Sequence, residues 1–191
     1  MDSVFLWQSG NKYRVKAHDA DMNDVEAMYG QTDSGMTVIE GNLFLNGEKP
    51  IDQRSSYGLG EVLKAALDNQ AKHIVISLGG IGSFDAGAGM LQALGAKFYD
   101  DEANIVDVSE GAYKIKYIRR IDLSDVHPQL ANAKLQLMSD FSSRLYGKQS
   151  EIMQTYQTFH LNQNEAAEID NLVWYFSELF KSELKLAIGP I

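Results

Sequence analysis

The sequence contains no cysteine and only three prolines among its 191 residues. Without thiols the chain forms no disulfides, and it offers neither a thiolate nucleophile nor a Cys-ligated zinc site. It also lacks any window close to the ~20 apolar residues that a membrane-spanning helix needs. The N-terminal apolar run from Val4 to Trp7 is too short for a signal peptide, and no basic segment precedes it. These absences predict a soluble, cytoplasmic protein with no membrane partner.

Positive charge is also scarce. The chain carries 17 Lys and Arg residues against 26 Asp and Glu residues, which gives a formal net charge of −9. Because an acidic surface repels the phosphate backbone, a nucleic-acid partner is disfavoured. The four histidines show no metal-ligand spacing, so no metal site is expected. A hydrophobic share of 45% is sufficient for one core, and we predict a single domain over residues 1–191.

The N-terminal part of the chain has the pattern of β-structure, which we predict over residues 12–48. A cluster of Asp and Asn residues from Asp19 to Asp24 indicates a turn. Two short apolar runs, Val25–Tyr29 and Met36–Ile39, follow as strands. Asp-Ser-Gly at residues 33–35 lies between them and predicts a hairpin.

Beyond residue 55 the pattern changes to helices that alternate with a buried strand. Ser56 is placed to cap the first helix, and Asn69 suits its C-terminal end. The apolar stripe of this helix consists of Leu59, Val62, Leu63, Ala66 and Leu67. The nearly continuous apolar run His73–Leu78 predicts a strand buried on both faces, and a second helix is expected from about Asp85 to Leu94. We therefore predict an α/β fold with a mixed or mostly parallel sheet flanked by helices.

The C-terminal half is predicted to contain two strands and one long helix. Lys114–Ile118 is predicted as a strand, and the alternation in Leu135–Ser139 predicts a second core strand that ends near Asp140. Asn162, with Glu165 three residues later, is typical of a helix capping box. The apolar face of the final helix consists of Ile169, Leu172, Val173, Phe176, Leu179 and Phe180.

The glycine-rich stretch from Leu78 to Met90 joins the buried strand to the second helix. Glycine lets the backbone approach a ligand, and free N–H groups at a helix start attract anions, so this stretch is a candidate cradle for a phosphate or carboxylate. It has neither the Walker A nor the Rossmann spacing, and small residues equally suit a tight, closely packed turn. Asp85 likewise has two interpretations: a residue that holds a metal, orients a hydroxyl or acts as a base, or the N-cap of the helix that follows.

Several segments, in one order and spacing, resemble glycerate kinases of the two-domain bacterial type. They are Ser55–Leu63, His73–Gly80, Asp85–Phe98, Arg120–Ser124 and Pro128–Leu130. That family transfers a phosphoryl group from ATP to D-glycerate, and its members have a second α/β domain inserted into a flavodoxin-like domain. The resemblance implies that this chain corresponds to the inserted domain and does not include the terminal motifs of the family.

Three motifs of the family are altered here. GGSATND corresponds to residues 79–85, where the two glycines and the aspartate are kept and the other side chains are replaced. CDVDNPL corresponds to residues 139–145, where the first aspartate and the leucine are kept. GPQKGA corresponds to residues 160–165, where the lysine and both glycines are lost. Scaffold residues are therefore kept while groups that handle phosphate are largely replaced.

The resemblance implies catalytic positions at Asp85 and Asp140. The ligand-binding positions that it implies are Ser55, Ser56, Gly79, Gly80, Gly82 and Ser83.

A retained fold with eroded motifs favours a non-catalytic domain that binds a small carboxylate, a phosphorylated metabolite or a protein, and no cofactor is then expected. Two alternatives stay open. One is an ATP- and Mg²⁺-dependent glycerate kinase completed by a partner chain that supplies the missing domain. The other is a structural protein that forms a homo-oligomer through newly exposed apolar surface.

Overall fold

The computed structural model describes residues 9–79, 82–139 and 142–184. Its strands are β1 (Gly10–His18), β2 (Asp24–Thr32), β3 (Met36–Glu40), β4 (His73–Ser77), β5 (Lys97–Tyr99), β6 (Arg120–Asp122) and β7 (Lys134–Met138). Within the described residues they form a five-stranded sheet in the order β1-β2-β3-β4-β7 and a small sheet of β5 and β6.

Helices connect these strands and cover the larger sheet. The α-helices are α1 (Asn42–Leu45), α2 (Tyr57–Asp68), α3 (Ala88–Ala93), α4 (Glu151–Thr155) and α5 (Gln163–Leu184). Short 3-10 helices occur at Ile51–Gln53, Val108–Glu110, Ala112–Tyr117, Pro128–Asn132 and Tyr156–Phe159. A mixed sheet flanked by helices confirms the predicted α/β fold. In the described ranges no helix has both the length and the apolar character needed to cross a membrane.

The larger sheet begins as an antiparallel meander and continues as parallel strands. β1 and β2 pair antiparallel along their whole length, from Gly10 opposite Thr32 to His18 opposite Asp24. The predicted hairpin turn joins β2 to β3, with Gly35 at a φ of 86° that favours glycine. β3 and β7 both pair parallel with β4. β4 is therefore the middle strand of the parallel part.

The core lies between this sheet and α2. Ile74, Val75 and Ile76 of β4 are 0%, 7% and 1% exposed, so the strand is buried on both faces as its continuous apolar run predicted. The predicted stripe of α2 is buried against the sheet. Ser56 and Asn69 flank this helix at the predicted positions.

The predicted strand at Lys114–Ile118 is wrong. The chain forms a 3-10 helix over Ala112–Tyr117 instead. The buried residues Ala112, Ile115 and Ile118 recur every third position, which matches the three residues per turn of a 3-10 helix. A strand would have placed Lys114 and Lys116 on the same face as Ile118.

Three further boundaries differ from the prediction. The β-structure predicted up to residue 48 ends at Glu40, since Asn42–Leu45 form α1. β7 is a strand, but it lies at the edge of the sheet and its residues are exposed, so it is not a core strand. The helix expected from Asp85 begins only at Ala88, because Ala86 and Gly87 have φ values of 51° and 77° that no right-handed helix contains.

The capping box at the start of α5 is confirmed. The Asn162 amide donates to Glu165 Oε2 at 2.7 Å, and the Glu165 amide donates to Asn162 Oδ1 at 3.1 Å. Along the helix, Ile169 and Val173 pack with Phe84 in one cluster, and Phe176 packs with the apolar residues around β5. α5 therefore holds the loop after β4 against the rest of the chain.

Candidate functional site

An open cavity of about 400 Å³ lies at the carboxyl ends of β4 and β7. Ligands of open α/β sheets commonly bind at this edge. Its apolar lining consists of Leu45, Leu59, Ile76, Leu78, Phe84, Ala86, Met90, Leu137, Leu145 and Val173. The other lining residues are Ser56, Ser83, Asp85, Gly87, Ser139, Ser143, Arg144 and Glu151. We call this space the β4 cavity.

The carboxylate of Asp85 is buried and accepts four hydrogen bonds. Ser56 donates from its amide and its hydroxyl to Oδ2, both at 2.8 Å. The amides of Gly87 and Gly89 donate at 3.1 Å to Oδ1 and Oδ2. Asp85 therefore binds the N–H groups at the start of α3 with its own side chain, as an N-cap does, even though the helix begins three residues later.

The two serines before α2 have different surroundings. Ser56 accepts from the Met90 amide at 3.0 Å and so links α2, Asp85 and α3, at the wall of the β4 cavity. Ser55 is 0% exposed and donates to the Val108 carbonyl at 3.2 Å. It does not line the β4 cavity. The structure thus brings Ser56, Ser83 and Asp85 together and separates Ser55 from them.

The candidate glycines Gly79 and Gly82 differ in the space around their Cα atoms. A Cβ on Gly82 would lie 2.5 Å from Asn46 Oδ1 and 2.7 Å from the Leu45 carbonyl oxygen, so packing alone demands glycine there. A Cβ on Gly79 would meet no atom within 4 Å, so Gly79 has open space around it. The predicted site residues Gly80 and Asp140 lie outside the described residues.

Ser83 is the one buried side chain in the described ranges whose polar atom has no hydrogen-bond partner. It is 7% exposed and lies at the wall of the β4 cavity. Leaving such a hydroxyl unsatisfied costs about 1–3 kcal/mol. Ser83 stands where the family motif has threonine, so a hydroxyl is present at that position although the residue differs. A polar atom of a ligand is the natural partner for it.

Arg144 is the lining residue that the sequence did not reveal. Its exposed guanidinium makes no hydrogen bond or ion pair with the described residues, although its amide bonds to the Gln149 carbonyl. The neighbouring acid Glu151 instead accepts from the Ser143 hydroxyl at 2.7 Å. Only its place in the altered CDVDNPL segment could have indicated Arg144.

Two ionisable groups beside α2 and α3 have shifted pKa values. Burial, with the negative charges of Glu61 and Asp107 next in size, raises the pKa of Tyr57. At Asp107 burial opposes ionisation, but hydrogen bonds from Ser109 and Gln92 outweigh it and lower the pKa. Neither group lines the β4 cavity, so both belong to the scaffold around it.

The segment that corresponds to GPQKGA lies in a separate cleft of about 790 Å³. His160, Leu161 and Glu165 form one side, and residues 48–52 with Arg54 form part of the other. The counterparts of the three family motifs therefore do not all line one cavity. Across the described residues, no three His, Asp or Glu side chains converge to hold a metal ion.

Comparison with known proteins gives one consistent result. The model of the glycerate kinase family matches residues 1–188. Glycerate kinase of Halalkalibacterium halodurans is 29% identical over 95% of this chain and 49% of its own length. Glycerate 2-kinase of Escherichia coli is 28% identical over 87% of this chain and 45% of its own length. The chain thus spans about half the length of the relatives it matches.

A solved structure has the same fold. The crystal structure of a putative glycerate kinase 2 from Salmonella typhimurium superimposes with a TM-score of 0.88 over 98% of this chain and 51% of that chain. The sequence identity is 23%, so this likeness establishes the arrangement of strands and helices alone. It confirms that the fold resembles part of a glycerate kinase.

Proposed function

Because the chain belongs to the glycerate kinase family, we propose that it is a non-catalytic domain of that type, which binds a small ligand in the β4 cavity and does not phosphorylate glycerate alone. The observation that carries this proposal is the four-bonded carboxylate of Asp85. A base must be free to accept a proton from its substrate. Here the retained acid is held by the loop instead, and it already occupies the N–H groups that would otherwise attract a phosphate.

The replaced motifs support the same proposal. Phosphoryl transfer depends on positioning and on groups that neutralise the charge that develops on the phosphate. The lysine of GPQKGA is absent, and His160, Leu161 and Glu165 of the corresponding segment line a different cleft from the β4 cavity. Phe84 stands where the family has asparagine, and it packs into an apolar cluster with Ile152 and Val173.

The test is an assay of the purified chain with ATP, Mg²⁺ and D-glycerate. We expect no phosphoglycerate above the rate of a blank without protein, while an active glycerate 2-kinase in the same buffer forms product. Product whose formation is abolished by the substitution Asp85→Asn, in a variant that still folds, contradicts the proposal. Thermal-shift measurement with glycerate, phosphoglycerate and ATP–Mg²⁺ then reports which of them the chain binds, since a ligand of the native state raises its stability.

A second candidate function is a glycerate kinase that another chain completes. It is favoured by the match to about half of each relative's length. The test is to express this chain with a polypeptide that carries the terminal motifs of the family and to assay the co-purified complex. Activity of the complex but not of either chain supports this alternative. Two chains that neither bind each other nor gain activity together exclude it.

A third candidate is self-association through β7. Leu135, Leu137 and Met138 on this edge strand are 39%, 62% and 55% exposed. Exposed apolar side chains on an unpaired sheet edge favour pairing with another chain. The test for a homo-oligomer formed in this way is given in the Discussion.

A further inference from the structure

We propose that the ligand of the β4 cavity is an amphipathic carboxylic acid, with an apolar chain or ring and a second oxygen remote from the carboxylate. This inference rests on the proposed function only in that the chain binds a ligand in this cavity. The proposed ligand is larger and more apolar than glycerate, the small polar acid that the family suggests. Three independent features of the cavity lead to it.

The first feature is the wall. Most of the side chains that line the cavity are aliphatic or aromatic, and they come from the sheet, α1, α2, α3 and α5. Leu137 and Leu145 are 62% and 51% exposed although they line the same space. A ligand with an apolar body would cover both side chains and remove their surface from water, which is favourable. A volume of about 400 Å³ falls within the range of ordinary small-molecule sites and is far larger than glycerate needs.

The second feature is the charge at the mouth. Asp85 and Glu151 are both acidic, but their carboxylates accept hydrogen bonds from the protein. Arg144 is the exposed lining cation, and its guanidinium has no partner among the described residues. Among the described lining residues, Arg144 is therefore the charged group without a hydrogen-bond partner, and a planar guanidinium suits a carboxylate, which it binds through two parallel N–H donors.

The third feature is the Ser83 hydroxyl on the buried wall. Among the described lining residues it is the buried polar atom without a hydrogen-bond partner, whereas Arg144 is exposed. A ligand whose carboxylate meets Arg144 presents its far end to the interior. A hydroxyl or keto oxygen there pairs with Ser83 and removes the unsatisfied group. Two polar contacts at opposite ends of an apolar body fix the orientation of such a ligand.

The experiment is isothermal titration of the full chain with four probes: octanoate, its ω-hydroxy derivative, D-glycerate and octylamine. Flexible chains are chosen because they adapt to the shape of the cavity. We expect both octanoates to bind about tenfold or more tightly than glycerate. We expect the ω-hydroxy acid to bind several-fold more tightly than octanoate. Octylamine, which carries the opposite charge, is expected not to bind measurably.

Three variants assign the contacts. Arg144→Gln is expected to weaken both octanoates about tenfold, which is the loss of one charged hydrogen-bonded pair. Ser83→Ala is expected to abolish the preference for the ω-hydroxy acid and to leave octanoate binding unchanged. Lys148→Gln, an exposed cation of the same loop that does not line the cavity, is the control and is expected to bind like the wild type.

The inference is overturned if glycerate binds as tightly as the octanoates, if octylamine binds more tightly than they do, or if none of the three acids binds. It is equally overturned if Arg144→Gln, still folded by circular dichroism, binds octanoate unchanged, since the acid then lies elsewhere on the surface. The proposed function fails separately, through ATP-dependent phosphorylation of glycerate by the unmodified chain. The two failures are therefore distinguishable.

Discussion

At the scale of single residues, Asp85 is the acid whose hydrogen bonds carry the proposal of a non-catalytic domain. Its carboxylate accepts from two groups of Ser56 and two glycine amides, so it joins the start of α2 to the start of α3. It is 2% exposed. A polar group that is this deeply buried is tolerated because each of its oxygens is hydrogen-bonded. Asp85 is therefore expected to contribute substantially to the free energy of unfolding.

The substitution Asp85→Ala leaves these donors buried without partners. Each unsatisfied group costs about 1–3 kcal/mol, so we expect the free energy of unfolding to fall by at least ~3 kcal/mol. The midpoint of urea denaturation measures this change. Asp101→Ala, at an exposed carboxylate, is the matched control and is expected to shift it by less than ~0.5 kcal/mol. Equal stability of both variants would show that the network is not structural.

Asp107 gives a prediction about pH. Its side chain caps the 3-10 helix at Val108–Glu110 and accepts from Ser109 and Gln92, and its pKa lies below the ordinary value of 3.8. A lowered pKa in the folded state means that ionised Asp107 stabilises the fold above pH ~4, and that this stability is lost as the pH falls through the folded pKa.

Asp107→Ala is therefore expected to lower the free energy of unfolding by about 1 kcal/mol at neutral pH, the usual value of a lost cap. The difference from the wild type should shrink towards zero below the folded pKa. Urea denaturation at a series of pH values measures it. A difference that stays constant down to the lowest accessible pH would mean that the charge of Asp107 does not contribute.

At the scale of elements, the crossing of α2 and α3 depends on glycine. A Cβ on Gly60 would lie 2.7 Å from the Ala93 Cβ and would also collide with the Met90 carbonyl oxygen. A Cβ on Gly89 would lie 2.7 Å from the Tyr57 amide nitrogen. Glycines on both helices thus let their backbones approach closely, and the walls of the β4 cavity are fixed by this contact.

Gly60→Ala is expected to destabilise the protein by about 2 kcal/mol, because the clash forces the two helices apart. Gly79→Ala is the control, since a Cβ there meets no atom within 4 Å, and a change below ~0.5 kcal/mol is expected. Differential scanning calorimetry compares the two. If both variants melt like the wild type, α2 and α3 are not in close contact.

The sequence predicted most of these elements because their periodicities are strong. The stripe of α2, the apolar run of β4 and the capping box of α5 each depend on neighbours in the chain. The strand predicted at Lys114–Ile118 failed because polar and apolar residues alternate over 114–117, as in a half-buried strand. The three-residue period of the 3-10 helix becomes apparent only when Ala112 is included. The exposure of β7 could not be predicted, since alternation does not reveal which strand lies at an edge.

The candidate site was only partly predictable for a similar reason. Ser56, Ser83 and Asp85 were identified from the loop and the family motifs, and the structure places them at one cavity. Ser55 belongs to the same motif but faces Val108. The role proposed for Arg144 depends on its guanidinium having no partner among the described residues, and this becomes visible only when the surrounding side chains are placed.

At the scale of the whole molecule, net charge and exposed apolar surface act in opposite directions on self-association. Each chain carries a formal charge of −9, so two copies repel each other at low ionic strength. Salt screens this repulsion. If β7 pairs with a second copy, we therefore expect the dimer fraction in sedimentation velocity to rise between about 0.05 and 0.5 M salt.

Leu137→Lys is expected to abolish this association, because it places a charge on the exposed edge. Leu43→Lys is the matched control, since Leu43 is 49% exposed but belongs to α1. A wild-type chain that stays monomeric at every salt and protein concentration rules out the proposal. If both lysine substitutions abolish association equally, the contact between the two copies does not lie at β7.

The central position of β4 has a consequence for biosynthesis. Its two partners come from distant parts of the chain, since His73 lies opposite both Met36 and Lys134. Closing such long loops before any pairing energy is gained is slow. While the ribosome is still adding the residues between β4 and β7, one side of the most apolar strand is without its neighbour. The nascent polypeptide is then most exposed to aggregation, and chaperones that bind hydrophobic segments have their best target at residues 73–77.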